Sequence, residues 1–208
     1  ENFPAFDSRL DDKATFSAYA LLAAGCSIIE HGDRIEGGAA VEMAASLLHY
    51  AHESNARASR ESGFHVLVAA MAFYAAGQYS RAFVTMRSIE EQTSAAQIIA
   101  AFLRKDIASL IVRLNAVLLS DRPQFDDQLD LNEWAITVAI SRAVALALEF
   151  IFTGGGDLLA RADQQLRDAA LIASSGGHPG WWWVVRLLRL MLRDLGDASP
   201  WNVLPPLL

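Results

Sequence analysis

Apolar and polar positions along this chain follow the 3.6-residue period of α-helices, and no stretch keeps the two-residue alternation of a half-buried strand. The clearest segment is 64–91. From Phe64 through Phe73 nearly every position is apolar, which predicts a helix, 63–76, covered on both sides. Gly77 follows, where glycine accepts the left-handed conformation of a helix C-terminus without a Cβ penalty. Beyond it, Ala82, Phe83, Met86 and Ile89 fall on one stripe, with Arg81, Arg87, Glu90 and Glu91 away from it. A covered helix folded back on a half-exposed one is the two-layer unit of an α-solenoid.

The same pattern runs through the rest of the chain. A helix is expected over 8–31 and another over 38–55, with Gly32 and Gly37-Gly38 bracketing the turn between them. Ser94 and Gln97 have capping-box spacing for the next helix, and Asp106 starts another. The acidic, proline-containing stretch 120–131 reads as a surface loop, after which Asn132 or Asp130 caps a long apolar helix to Phe152. Gly154-Gly155-Gly156 ends that helix, and Asp157 caps an amphipathic one burying Leu159, Ala162, Leu166, Ala169, Ala170 and Ala173. In this reading Gly154 plays the part of Gly77. A final helix, 181–195, is apolar apart from Arg186, Arg189 and Arg193 on one face. The sum is an all-α chain of about nine helices in antiparallel pairs, a solenoid or a helical bundle, over a single domain at 1–208.

Ala70, Phe73, Gly77, Tyr79 and Ala82 fall on the small–aromatic–glycine–aromatic–alanine spacing of a tetratricopeptide repeat, and the segment resembles that family. The resemblance implies that Gly77, Tyr79 and Ala82 hold the turn and the inter-helix packing. The alternative is any glycine-turned helical hairpin. Overlaying Ile107 and Leu110 on Tyr79 and Ala82 gives a degenerate second copy, at an offset shorter than the roughly 34 residues usual for this repeat.

Composition narrows the possible roles. Hydrophobic residues make up 53% and charged residues 20%, enough to bury a large core. The net charge of -7 argues against nucleic-acid binding by the domain as a whole, because phosphate contacts need local Lys and Arg. The single cysteine, Cys26, has no partner for an internal disulfide and reads as a small core residue in a reducing compartment, hence a cytoplasmic protein. Mean hydropathy is +0.23. The apolar stretch 18–29 is too short to span a bilayer and 135–152 carries Ser141, Arg142 and Glu149, so both are expected as core helices and no membrane partner is expected. The first residues are acidic and carry no signal peptide. Both ends look cut, which gives the expectation of a fragment of a longer protein, with 195–208 a linker toward a following domain.

Candidate chemistry is sparse. His49, His52 and Glu53 could reach one ion, but they lack the HExxH order, and His49 belongs to a solvated polar stripe with Glu42 and Ser46. Gly154-Gly155-Gly156-Asp157 precedes a helix as an anion cradle would, yet no Lys or Thr follows and Asp157 would repel the anion; an interhelical turn is the simpler reading. No Gly-x-Ser-x-Gly is present and Cys26 has no neighbouring base, so no catalytic residue, metal or cofactor is expected. Arg186, Arg189 and Arg193 beside Trp181, Trp182 and Trp183 offer what single-stranded nucleic acid or an acidic partner would use. The competing reading, favoured by the overall charge, is that the tryptophans close the core and the arginines solvate its outer face.

The run 62–83, SGFHVLVAAMAFYAAGQYSRAF, with the ending LRDLGDASPWNVLPPLL, resembles the helical region preceding the motor in some bacterial DEAD/DEAH-box helicases. Such a motor needs a Walker A loop and an acidic box, and neither is in this sequence. The resemblance therefore implies an accessory module, with ATP hydrolysis beyond Leu208 and no catalytic residue to carry over. The expected function is a non-catalytic scaffold that binds a protein partner or a downstream domain of its own chain. The alternative is a free-standing interaction or oligomerisation scaffold with no motor.

Overall fold

The structure, a computed structural model, describes residues 13–54, 60–87, 93–120 and 128–197. Among them are nine α-helices and no strand: α1 (Lys13–Glu30), α2 (Arg34–Ser54), α3 (Arg60–Ala75), α4 (Tyr79–Arg87), α5 (Ser94–Arg104), α6 (Ile107–Leu118), α7 (Gln128–Thr153), α8 (Gly156–Ser175) and α9 (Pro179–Asp197). They group into two compact units, Glu1–Ile89 and Glu90–Leu208. In the first, α1 packs on α2, α2 on α3 and α3 on α4. In the second, α7 is central: α5, α6, α8 and α9 all pack against it, with α5 also on α6 and α8 on α9. The expected Ile89, the 121–127 stretch of the acidic loop, and the ends at 1–12 and 198–208 lie outside the described residues.

One turn chemistry recurs. Gly32, Gly77, Lys105 and Gly177 all have left-handed backbones, with φ of 102°, 77°, 59° and 73°. After each, the next backbone N–H reaches back to a carbonyl of the last helical turn: Asp33 to Ile28, Gln78 to Phe73, Asp106 to Ala101 and His178 to Ala173, at 2.8–3.2 Å. This closure satisfies orphan carbonyls at a helix end and reverses the chain in two residues. Gly154, with φ 72°, differs. Its N–H bonds the Phe150 oxygen at 2.8 Å, and the chain continues through Gly155 before α8 begins. The structural counterparts of Gly77 in the second unit are therefore Lys105 and Gly177 rather than Gly154.

Burial follows the apolar pattern. In α3, Val66 through Phe73 are all buried. In α4, Ala82, Thr85 and Met86 face the core, and Val84 is exposed. In α8 the buried stripe is Leu158, Ala162, Leu166, Ala169 and Ala173; Leu159 and Ala170 are half-buried at its edge. In α9, Trp181 through Val185 are buried, as are Leu187 and Leu188. Each fully buried large apolar side chain contributes about 1.5–3 kcal/mol of transfer free energy.

Several predicted helix starts move, each for a local reason. Helix α2 begins at Arg34, not at residue 38, because the Asp33 carboxylate accepts from the Ile35 and Glu36 N–H groups at 3.1 and 2.9 Å. Gly37 and Gly38 are thus inside the helix. Gly37 lies there because α1 and α2 nearly touch: a Cβ on Gly25 would sit 2.8 Å from the Gly37 carbonyl oxygen, and one on Gly37 would sit 2.7 Å from that of Gly25. The cap of α5 is Thr93, whose side chain accepts from Ala96 N, while the Gln97 side chain instead accepts from Arg113. Asp106 caps α6, accepting from Ser109 N at 3.1 Å. Helix α7 starts at Gln128, so Asp130 and Asn132 lie within it. Gly155 is the N-cap of α8, without a side-chain bond, and Asp157 sits in the first turn, where its charge suits the helix dipole.

Residues 130–153 of α7 are long and apolar enough to cross a membrane by length and composition. Here Ile136, Ile140, Ala143, Val144 and Ala147 are buried, and Arg142 and Glu149 are exposed.

Candidate functional site

In the first unit, polar groups knit α2 to the α3–α4 hairpin. Glu42 accepts from Gln78 Nε2 and from Arg81 Nη1, both at 3.1 Å, and Arg81 Nη2 donates to Ser46 Oγ at 3.1 Å. The same guanidinium lies 4.1 Å from the centroid of the Phe73 ring. Glu42 and Ser46 of the predicted polar stripe therefore hold α4 in place. Tyr79, 37% exposed, meets Tyr74 edge-on with centroids 5.0 Å apart, and Ala82 is fully buried. Burial, and then Tyr79, push the Tyr74 hydroxyl well above the ordinary phenol range. Gly77 thus makes the turn, and Tyr79 and Ala82 follow it in the first turns of α4.

The predicted arginine face of α9 is less open than its sequence implies. Arg189 Nε donates to Asp163 Oδ1 of α8 at 2.8 Å, and Arg167 donates to Oδ2 of the same carboxylate at 2.7 Å. Partial burial pushes the Asp163 pKa up, but the two arginines, through hydrogen bonds and charge together, hold it below the ordinary carboxylate value. Arg186 stacks over Trp182 and Trp183, at 5.3 and 5.9 Å. Arg193 is exposed. Trp181, Trp182 and Trp183 are 1%, 8% and 2% exposed, so their faces are not presented for a base to stack on.

The remaining candidates are scattered. Cys26 is fully buried in α1. His49 is half-buried on α2, while the side chains of His52 and Glu53 lie outside the described residues. Among the described residues no group of three or more His, Cys, Asp or Glu is placed to hold a metal. Gly156 and Asp157 are exposed, and Asp157 is 3.9 Å from Arg161 one turn on.

The feature that sequence reasoning missed is a groove of about 430 Å³ where α6, α7 and α8 meet. Leu118, Ala145 and Leu146 are its half-buried apolar lining, and Arg142, Arg161 and Gln165 are polar groups along it. Its signal in the sequence was the pair Arg142 and Glu149, two charges in an otherwise apolar helix. They stand about two turns apart and so share a face.

No protein-family model matches the chain. Over all 208 residues it is 26% identical to the Hachiman protein HamB of Bacillus cereus. The match covers the whole of this chain and 18% of HamB, so the chain spans under a fifth of the curated relative's length.

Proposed function

We propose that this chain is a non-catalytic helical interaction module, the accessory domain of a longer protein whose motor is an ATP-dependent DEAD/DEAH-box helicase. The observation that carries this reading is the match itself: the whole chain aligns with a minor part of a much longer protein. The all-helical architecture of the described residues supports a scaffold of packed helices. The turn at Gly77, followed in α4 by Tyr79 against Tyr74 and by the buried Ala82, supports tetratricopeptide-like pairing of α3 and α4. The same reading places the protein in the cytoplasm, where a buried thiol such as Cys26 stays reduced.

The experiment is to measure ATP hydrolysis, with and without nucleic acid, by the isolated 208 residues and by the full open reading frame that encodes them. The fragment is expected to be inert and the full product active. A full product without nucleotide turnover removes the motor and leaves a free-standing scaffold; turnover by the fragment alone overturns the accessory role.

A further inference from the structure

The groove between α6, α7 and α8 combines an apolar lining with charged groups along its edge. Its lining is apolar, through Leu118, Ala145 and Leu146. Along it stand two guanidinium groups that the fold leaves underused. Arg142 makes no ion pair among the described residues, and Arg161 reaches only Asp157, at 3.9 Å and with both side chains mostly exposed. A contact of that length between exposed groups contributes little, so Arg161 can exchange it for a better partner. Several other arginines are committed: Arg81 to Glu42, Arg167 and Arg189 to Asp163, and Arg113 to Gln97. Two available arginines beside an apolar trough are a local concentration of positive charge in a chain of net charge -7.

The apolar surface continues beyond the trough. Ile107 and Ile111 lie on the same side of α6 as Leu118 by helical spacing, and both are exposed, at 41% and 47%. The trough is thus the deep end of an apolar strip running along α6. A small molecule would use the trough and leave the strip bare. A helix laid along α6 covers both, with side chains at i, i+3/i+4 and i+7 spacing entering them. Nucleic acid fits poorly, since the lining offers no exposed aromatic ring and Glu149 stands beside the arginines.

From this geometry we infer that the groove docks an amphipathic helix of a protein partner, its apolar face on Leu118 and Leu146 and its carboxylates on Arg142 and Arg161. Glu149, about two turns from Arg142 on α7, rejects a partner that is acidic along its whole length and so sets the direction of the bound helix. This rests on the interaction-module reading above and identifies its partner chemistry, but it does not depend on whether a motor is attached.

The probes are two synthetic peptides of about 18 residues, roughly 27 Å as a helix. Both carry leucines on one face; one has glutamates flanking that face over half of its length, and the other has lysines at the same positions. Binding to the 208-residue chain is read by fluorescence anisotropy at low salt. The glutamate peptide is expected to bind at least about tenfold more tightly, a difference of about 1.4 kcal/mol. The double variant Arg142→Glu/Arg161→Glu, at two exposed positions, is expected to reverse that preference with an unchanged circular dichroism spectrum. Leu118→Asp is expected to weaken both peptides. Equal affinity for the two peptides, binding of neither, or a preference that survives the double variant each overturns the proposal. In the last case the chain still binds peptide at another surface, so the interaction-module reading stands while the groove falls. A single-stranded oligonucleotide serves as a third probe, and tighter binding of it than of either peptide, lost in the double variant, assigns the groove to nucleic acid instead.

Discussion

The hairpins at Gly77 and Gly177 close with the same backbone geometry and are layered in opposite order. In the first, the covered helix α3 comes before the half-exposed α4; in the second, the half-exposed α8 comes before the covered α9. Each sets a guanidinium against aromatic rings, Arg81 on Phe73 and Arg186 on Trp182 and Trp183. Each also ties an arginine to a carboxylate on another helix, Arg81 to Glu42 and Arg189 to Asp163. A turn, then, fixes only that the chain reverses. Which arm is covered depends on where the apolar side chains lie, a separate property of the sequence.

The largest expected effect tests whether the two covered arms matter equally. Phe73→Ala and Trp183→Ala each remove a large, fully buried ring and should each cost about 3–5 kcal/mol. All five tryptophans lie after residue 89, so tryptophan fluorescence follows the second unit while circular dichroism follows both. Phe73→Ala should lower the melting temperature seen by circular dichroism and leave the fluorescence transition nearly unmoved. Parallel shifts in both probes would mean that the units unfold as one.

Next comes Ala82→Trp, which forces a large ring into the fully buried contact of α4 with α3 and should cost about 1–3 kcal/mol in chemical denaturation. A neutral result would place the covered face of α4 elsewhere. The turns give smaller, signed effects. Gly77→Ala and Gly177→Ala put a Cβ on a left-handed backbone and should each destabilise by about 1 kcal/mol, whereas Lys105→Gly relieves the same strain and should stabilise by up to about 1 kcal/mol. Equal signs for all three would break the equivalence of these turns.

The smallest effect is in pH. Because Asp163 titrates below the ordinary carboxylate value of 3.8 in the folded chain, its ion pairs contribute fully above that value. The contribution is lost as pH falls through the lower, folded value. The fluorescence-detected stability of Asp163→Asn should accordingly be lower than that of the native chain at neutral pH and should converge with it under strong acid. A constant gap between the two curves would rule out the carboxylate as the titrating group.

The helices and most turns were legible because they rest on local rules. The overlay of Ile107 on Tyr79 even lands Gly77 on Lys105, the one non-glycine among the described residues with a positive φ. Lysine gives no turn signal by itself, so the register was readable while the geometry was not. Gly37-Gly38 misled for the opposite reason: a glycine pair reads as a break, and the Gly25 backbone that makes it useful inside a helix is visible only once α1 and α2 are packed. The capping errors at Ser94, Asp130, Asn132 and Asp157 are shifts of a few residues between plausible caps. Of the candidate surface, the arginines of α9 could be read, but their engagement with Asp163 and with buried rings could not. Of the groove, only the Arg142–Glu149 face of α7 has a trace in the sequence; its meeting with α6 and α8 depends on packing.

The contact of Gly25 with Gly37 has a consequence for how the first unit assembles. Most helix contacts immobilise side chains and so oppose themselves with lost rotamer entropy. Where α1 crosses α2, the Gly25 and Gly37 backbones approach directly, flanked by Val41 and Ile29, whose β-branched side chains have few rotamers to lose, and the two glycines lie close in sequence across one tight turn. Closing so short a loop is entropically cheap and fast. The α1–α2 pair can therefore form early, while the chain that follows is still unordered, and offer α3 a finished surface on which to fold.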